Sequence, residues 1–167
     1  MLRKNSPLPQ KIISGGQTGA DSGGLLAARE LGIESGGTAP HGWFTEDGPR
    51  EAQLRDFGLL ECPEDGFPAR TRRNVADSNG TLLVGKYGSG GSRLTYDVAR
   101  ELSKPLFHIS YPERRDRSWE FRHWLEENKV VVLNVAGNRE SQSPGIAEFT
   151  RDFLVRALGP YFVKQRS

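Results

Sequence analysis

The 167-residue chain sets 23 Lys+Arg against 21 Asp+Glu, a formal charge of +2. The two signs are interspersed, so there is no basic footprint for nucleic acid or for an anionic membrane surface. One cysteine, Cys62, excludes an internal disulfide framework and any multi-cysteine zinc or iron–sulfur site. No apolar run approaches the roughly 20 residues of a membrane span, and residues 1–10 lack the apolar centre of a signal peptide. A soluble, cytoplasmic protein is expected, with a flexible lead-in over 1–10 and one domain over 11–160.

Lys11-Ile12-Ile13-Ser14 reads as a strand entering the glycine run Gly15-Gly16-Gln17-Thr18-Gly19. A helix follows over 20–31, with Leu25, Leu26, Ala28 and Leu31 on its inner side and Gly32 as its stop. Residues 34–58 show little periodicity, which predicts a short second strand and then a long functional loop. Leu59-Leu60 marks a weak strand, 69–77 a helix, and Thr81–Val84 a buried strand. Leu94, Val98 and Leu102 recur every four residues beside Ala99, a helical stripe beginning near Ser92 as its N-cap. Pro105–Ile109 is the next strand, and Phe121, Trp124 and Leu125 mark a helix over about 117–128. Val130–Val135 is the strongest strand. The last helix opens at Ser143-Pro144, carries Ile146, Phe149, Phe153, Leu154, Ala157 and Leu158 inward, and is expected to stop at Gly159-Pro160.

Apolar strands alternating with amphipathic helices predict an α/β, Rossmann-like three-layer fold with a mainly parallel sheet. In such sheets ligands bind beyond the carboxyl ends of the strands. Three loops meet that condition. In the first, Gly15, Gly16 and Gly19 permit close backbone approach, Thr18 and Gln17 offer polar groups, and the first helix amides point at an anion; Asp21 either caps the helix or meets a ligand hydroxyl. In the second, Lys86, Gly90, Gly91 and Ser92 are candidate binding residues, and the free amides after the Ser92 cap could hold an anionic group. Gly80-x-x-x-x-Gly85-Lys86 has Walker A spacing, but Tyr87 stands where Ser/Thr is needed and the intervening residues are strand-like. In the third, Arg139 could fork onto a phosphate or a ring carbonyl, or pair with Glu140 at the surface, and Asn134 and Asn138 could read polar edges. Arg70, Arg72 and Arg73 lie early in a helix at the same sheet edge, where one or two of them, Arg73 the candidate, could face the pocket or all could form a solvated face. His41, Trp43 and Phe44, near Glu46-Asp47-Gly48, either cover a ligand ring or pack their loop down. No nucleophile elbow and no catalytic constellation is present.

Lys11–Leu31 (KIISGGQTGADSGGLLAAREL), Glu46-Asp47-Gly48, Arg72–Val84 (RRNVADSNGTLLV), Gly88–Ser92 and Leu133–Ser143 (LNVAGNRESQS) together resemble the molybdenum carrier family, Rossmann-like molybdenum cofactor carrier proteins related to the lysine-decarboxylase-like nucleotide-binding group. The resemblance runs from about 11 to 158. It implies a homo-oligomer that binds, stores and protects the molybdenum cofactor (molybdopterin), a phosphorylated pterin whose own sulfurs hold the metal. It also implies exchange with molybdenum-enzyme apoproteins or cofactor-synthesis proteins. Ser22 stands where the family usually has arginine. The alternative is a nucleotide-processing enzyme of the related phosphoribohydrolase group. That group is known by a P-G-G-x-G-T loop with a glutamate downstream, whereas Gly88–Ser92 lacks the proline and the Gly-Thr ending, and the nearest downstream glutamate is Glu101.

Overall fold

In the computed structural model, which describes residues 6–163, the amphipathic pattern resolves into one six-stranded sheet with helices on both faces. In chain order the elements are β1 (Lys11–Ile13), α1 (Ala20–Leu31), β2 (Glu34–Ala39), the two-residue strands β3 (Phe44–Thr45) and β4 (Gly48–Pro49), α2 (Glu51–Asp56), β5 (Leu59–Glu61) and α3 (Phe67–Ala76). They continue with β6 (Gly80–Val84), α4 (Gly90–Glu101), β7 (Leu106–Ile109), α5 (Ser118–Glu127), β8 (Val132–Gly137) and α6 (Ile146–Val163). The sheet runs β5-β2-β1-β8-β6-β7, and every pairing in it is parallel. The Rossmann-like α/β expectation holds.

Burial follows strand position. All five residues of β6, inside the sheet, are buried, as a strand covered on both faces requires. On one face α1, α5 and α6 close over Ile12, Leu82, Val84, Leu133 and Val135, with Phe121, Phe153 and Leu154 filling the centre. On the other face Val75 of α3 meets Val98 and Ala99 of α4. A smaller cluster, Leu25, Ala39, Trp43, Leu54 and Leu59, fastens the 40–59 segment to the sheet.

Several local expectations change for tertiary reasons. Residues 34–58 do not form a long loop: β2 has six residues, a single helical turn at His41–Trp43 follows, and then a β3–β4 hairpin and α2. The low periodicity there reflects short elements, not absent ones. Trp43 is buried in the small cluster and Phe44 is exposed, so this stretch packs itself down. Leu26 is 39% exposed, and Ala27 takes its inward place on α1. α4 starts at Gly90, so Ser89 occupies the cap position and Ser92 lies buried in the first turn. The buried face of α4 is Ser92, Thr95, Val98 and Ala99, while Leu102 is 41% exposed.

β8 begins two residues later than the apolar run, and Val130 enters the core from the turn before it. α6 starts at Ile146, not Pro144: the Glu140 carboxylate accepts from the amides of Gly145 (2.6 Å) and Ala147 (3.1 Å), doing the work expected of Ser143. Gly159-Pro160 does not stop α6, because Pro160 lies on its exposed side and Phe162, one turn below Leu158, still packs against the core. Of the lead-in, residues 1–5 lie outside the described residues. Leu8 packs on the core and the Gln10 amide donates to Val131 (2.8 Å), so its inner half is held and not loose.

Candidate functional site

At the carboxyl ends of β1, β6 and β8 the three predicted loops converge on a cleft of about 650 Å³. It lies where the strand order turns, β1 leading outward to β2 and β6 leading the other way to β7. Gln17, Asp21, Lys86, Gly90, Gly91, Ser92, Asn138 and Arg139 of the predicted set line it. Six others do not: Gly15, Gly16, Thr18, Gly19, Arg73 and Asn134.

The first loop is turned inward on itself. The Gly16 amide donates to Ser14 Oγ (3.3 Å), that of Gln17 to Asp21 Oδ2 (3.1 Å), that of Thr18 to Gln17 Oε1 (3.0 Å) and that of Ala20 to the Asn138 carbonyl (3.1 Å). The predicted anion cradle is therefore largely filled by the protein's own acceptors. Its glycines serve close packing. A side chain at Gly15 would collide with the Arg70 guanidinium, one at Gly16 with Leu54 and Leu59, and one at Gly19, which has φ +80°, with the Asn138 carbonyl. Asp21 neither caps α1 conventionally nor stands free. Its carboxylate folds back to Gln17 and meets Arg70 Nη1 at 3.2 Å, with side chains 5% and 12% exposed. Burial pushes the Asp21 carboxyl up from its ordinary value, against the opposing pull of Arg70.

Arg70, not Arg73, is the arginine that reaches the cleft. α3 begins at Phe67 with Pro68 in its first turn, so Arg70 sits at the strand-end edge, and Arg73, nearly a turn further along, pairs with Glu64 (3.0 Å) outside. Asn134 is buried between strands, donating to Thr81 Oγ1 (3.2 Å).

The second loop is open. Ser89 makes no side-chain cap, and the amides of Gly90, Gly91 and Ser92 find no acceptor among the described residues. Side chains built at Gly90 and Gly91 would meet nothing within 4 Å. Asn138 ties this loop to the third: Oδ1 accepts from the Lys86 amide (2.8 Å), while Nδ2 donates to the Lys86 carbonyl (2.7 Å) and to Ser92 Oγ (3.3 Å). Arg139 makes no ion pair with Glu140. It stands over the Phe67 ring, 5.3 Å from its centroid, and neither it nor Lys86 has a carboxylate partner among the described residues. Phe67 and Gln142 are cleft residues that sequence reading missed. The Gly66-Phe67-Pro68 helix start was the available signal for Phe67.

Gln17 is 5% exposed, and its amide orientation is fixed. Oε1 accepts from the amides of Thr18 and Glu46, a role that the NH2 group cannot play. Its Nε2 is consequently a buried donor with no partner among the described residues. Ser22, at the position of the usual arginine, donates from Oγ to the Gln17 carbonyl (2.8 Å) and holds that residue in place.

Fold and cleft define a Rossmann-like α/β protein with an open cleft at the carboxyl edge of its sheet. The family model described as "Circularly permutated YpsA SLOG family" matches residues 12–158, and the chain belongs to that family. It is similar to a solved structure from Syntrophus aciditrophicus SB described as "Putative molybdenum carrier protein": 35% identical, over 92% of this chain and 98% of that one, with a TM-score of 0.83. An (E)-4-hydroxy-3-methyl-but-2-enyl diphosphate reductase is 13% identical, over 89% of this chain and 60% of that one, with a TM-score of 0.38, too loose a likeness to bear on fold or function. Among curated proteins, no sequence matches. No described helix is long and apolar enough to cross a membrane.

Proposed function

We propose that the cleft binds the molybdenum cofactor through its phosphate and pterin, and that the chain carries, stores and protects that cargo without turning it over. The observation that carries this reading is the α4 entrance. Among the described residues, three helix-start amides without acceptors stand in one cleft with Lys86 and Arg139, two cations without carboxylate partners. Helix-start amides and a guanidinium suit a phosphate, and the unpartnered Gln17 Nε2 suits a ring acceptor. Cys62 is buried away from the cleft lining, which agrees with a metal held by the cofactor's own sulfurs. The name of the Syntrophus relative points the same way. Recipients under this reading are molybdenum-enzyme apoproteins or cofactor-synthesis proteins in the cytoplasm, and the carrier is a homo-oligomer.

The nucleotide-processing alternative gains nothing from the cleft. Glu101, its candidate carboxylate, pairs with Arg72 (3.2 Å) at the far end of α4, and Asp21 is committed to Arg70. Incubating the purified protein with molybdenum cofactor and, separately, with AMP decides between the two. Cofactor retained through gel filtration, with no adenine formed from AMP, is the expected result; release of adenine overturns the carrier.

A further inference from the structure

Glu46 lies outside the cleft, in the β3–β4 hairpin, yet it touches two of the three cleft loops. Its Oε1 accepts from Thr18 Oγ1 in the first loop and from the Ser141 amide (3.1 Å) in the third. Its Oε2 accepts from Ser141 Oγ, and its own amide donates to Gln17 Oε1 (2.8 Å). Thr18 Oγ1 also accepts from the Glu140 amide (3.2 Å), so the two loops meet at this carboxylate. A carboxylate serves here because it alone offers two acceptor oxygens and no donor, matched to three converging N–H and O–H groups.

Arg139 is the residue this arrangement controls. On one side Asn138 is pinned to Val84 through its amide (3.2 Å) and to Lys86 through its side chain. On the other, Ser141 is pinned to Glu46, and the Gln142 and Ser143 amides close a turn on the Arg139 carbonyl (3.1 and 3.0 Å). The guanidinium has no hydrogen bond of its own among the described residues, so its place over Phe67 depends on the backbone that carries it.

We infer that Glu46 is a positioning residue: it clamps Thr18 to Ser141 and thereby fixes Arg139 at the anion-binding end of the cleft. This rests on the proposed reading of the cleft as a phosphate-bearing cofactor site. The test is a double-mutant cycle with Glu46→Ala, Arg139→Ala and the double variant, each titrated with molybdenum cofactor. Both single variants should lose about tenfold in affinity, the size of one charge-assisted hydrogen bond, and the double variant should lose no more than either. Glu46→Gln, which keeps one acceptor oxygen, should fall between wild type and Glu46→Ala. Losses that multiply in the double variant, or full affinity in Glu46→Ala, overturn the inference. If Arg139→Ala binds as tightly as wild type, or wild type does not bind, the reading of the cleft fails instead. The clamp is then judged without ligand, by amide hydrogen exchange. Glu140 and Gln142 should exchange about tenfold faster in Glu46→Ala while the core strand β6 is unchanged, and unaltered exchange rejects the clamp.

Discussion

The glycine loops after β1 and after β6 look alike in sequence and do opposite things. Both leave a strand at the same sheet edge and open a helix. In the first, Ser14, Asp21, Gln17 and Asn138 supply acceptors for the amides, and neighbouring atoms fill the space beside each glycine. In the second, the amides at the start of α4 are unclaimed among the described residues, and a side chain built at Gly88, Gly90 or Gly91 would have no neighbour there within 4 Å. Glycine in the one place permits close packing, and in the other it leaves an entrance clear. A strand–glycine–helix pattern therefore establishes a crowded backbone or an accessible one, and only the partners distinguish the two.

The contrast is most sharply broken at the buried pair behind the first loop. Arg70→Met should cost about 3 kcal/mol near neutral pH, because it leaves Asp21 buried without its counter-charge. Chemical denaturation measures this, and a loss under about 1 kcal/mol would mean that the first loop does not depend on the pair. Gly19→Ala should follow at about 2 kcal/mol, from positive φ and the collision with the Asn138 carbonyl. Gly91→Ala is its counterpart: φ there is ordinary and nothing is nearby, so stability should stay within about 0.5 kcal/mol of wild type. Equal costs at 19 and 91 would erase the distinction between the loops. Arg139→Ala should also leave stability within about 0.5 kcal/mol while cofactor affinity falls about tenfold, since the side chain serves the cleft and not the core.

Sequence reading recovered the elements whose signal is local. α1 has the predicted bounds 20–31 because its start is glycine-marked and Gly32 takes the left-handed conformation that ends it. Failures came where a distant group decided. Glu140 displaced Ser143 as the cap of α6, and core packing of Phe162 carried that helix past Pro160. The convergence of three loops was legible because a parallel sheet puts its strand ends on one edge. Which amides stay free was not, since Asp21, read as a helix cap or a ligand contact, folds back onto the Gln17 amide, and Glu140, read as a surface partner of Arg139, satisfies backbone donors at α6. Glu46 shows the same limit: the E-D-G motif is visible in the chain, but its partners lie 28 and 95 positions away.

The smallest expected effect separates the two carboxylates that organise the cleft. Asp21 is raised by burial, while Glu46 is held below its ordinary value by the hydrogen bonds from Ser141 and Thr18, with Arg139 the nearby cation. As pH falls, Asp21 should take its proton above its ordinary value and Glu46 below its own. The raised group favours the folded state only when protonated, a contribution lost as pH rises through its folded value. The depressed group favours the folded state only when ionised, a contribution lost as pH falls through its lower folded value. The clamp at Glu46 should therefore still hold at the ordinary glutamate value and loosen only below it. Carboxyl carbon shifts followed by NMR against pH report both midpoints directly. If Glu46 titrates at or above its ordinary value, its carboxylate is not held by Thr18 and Ser141, and the contrast between a buried support behind the first loop and a solvent-side clamp across the loops is lost.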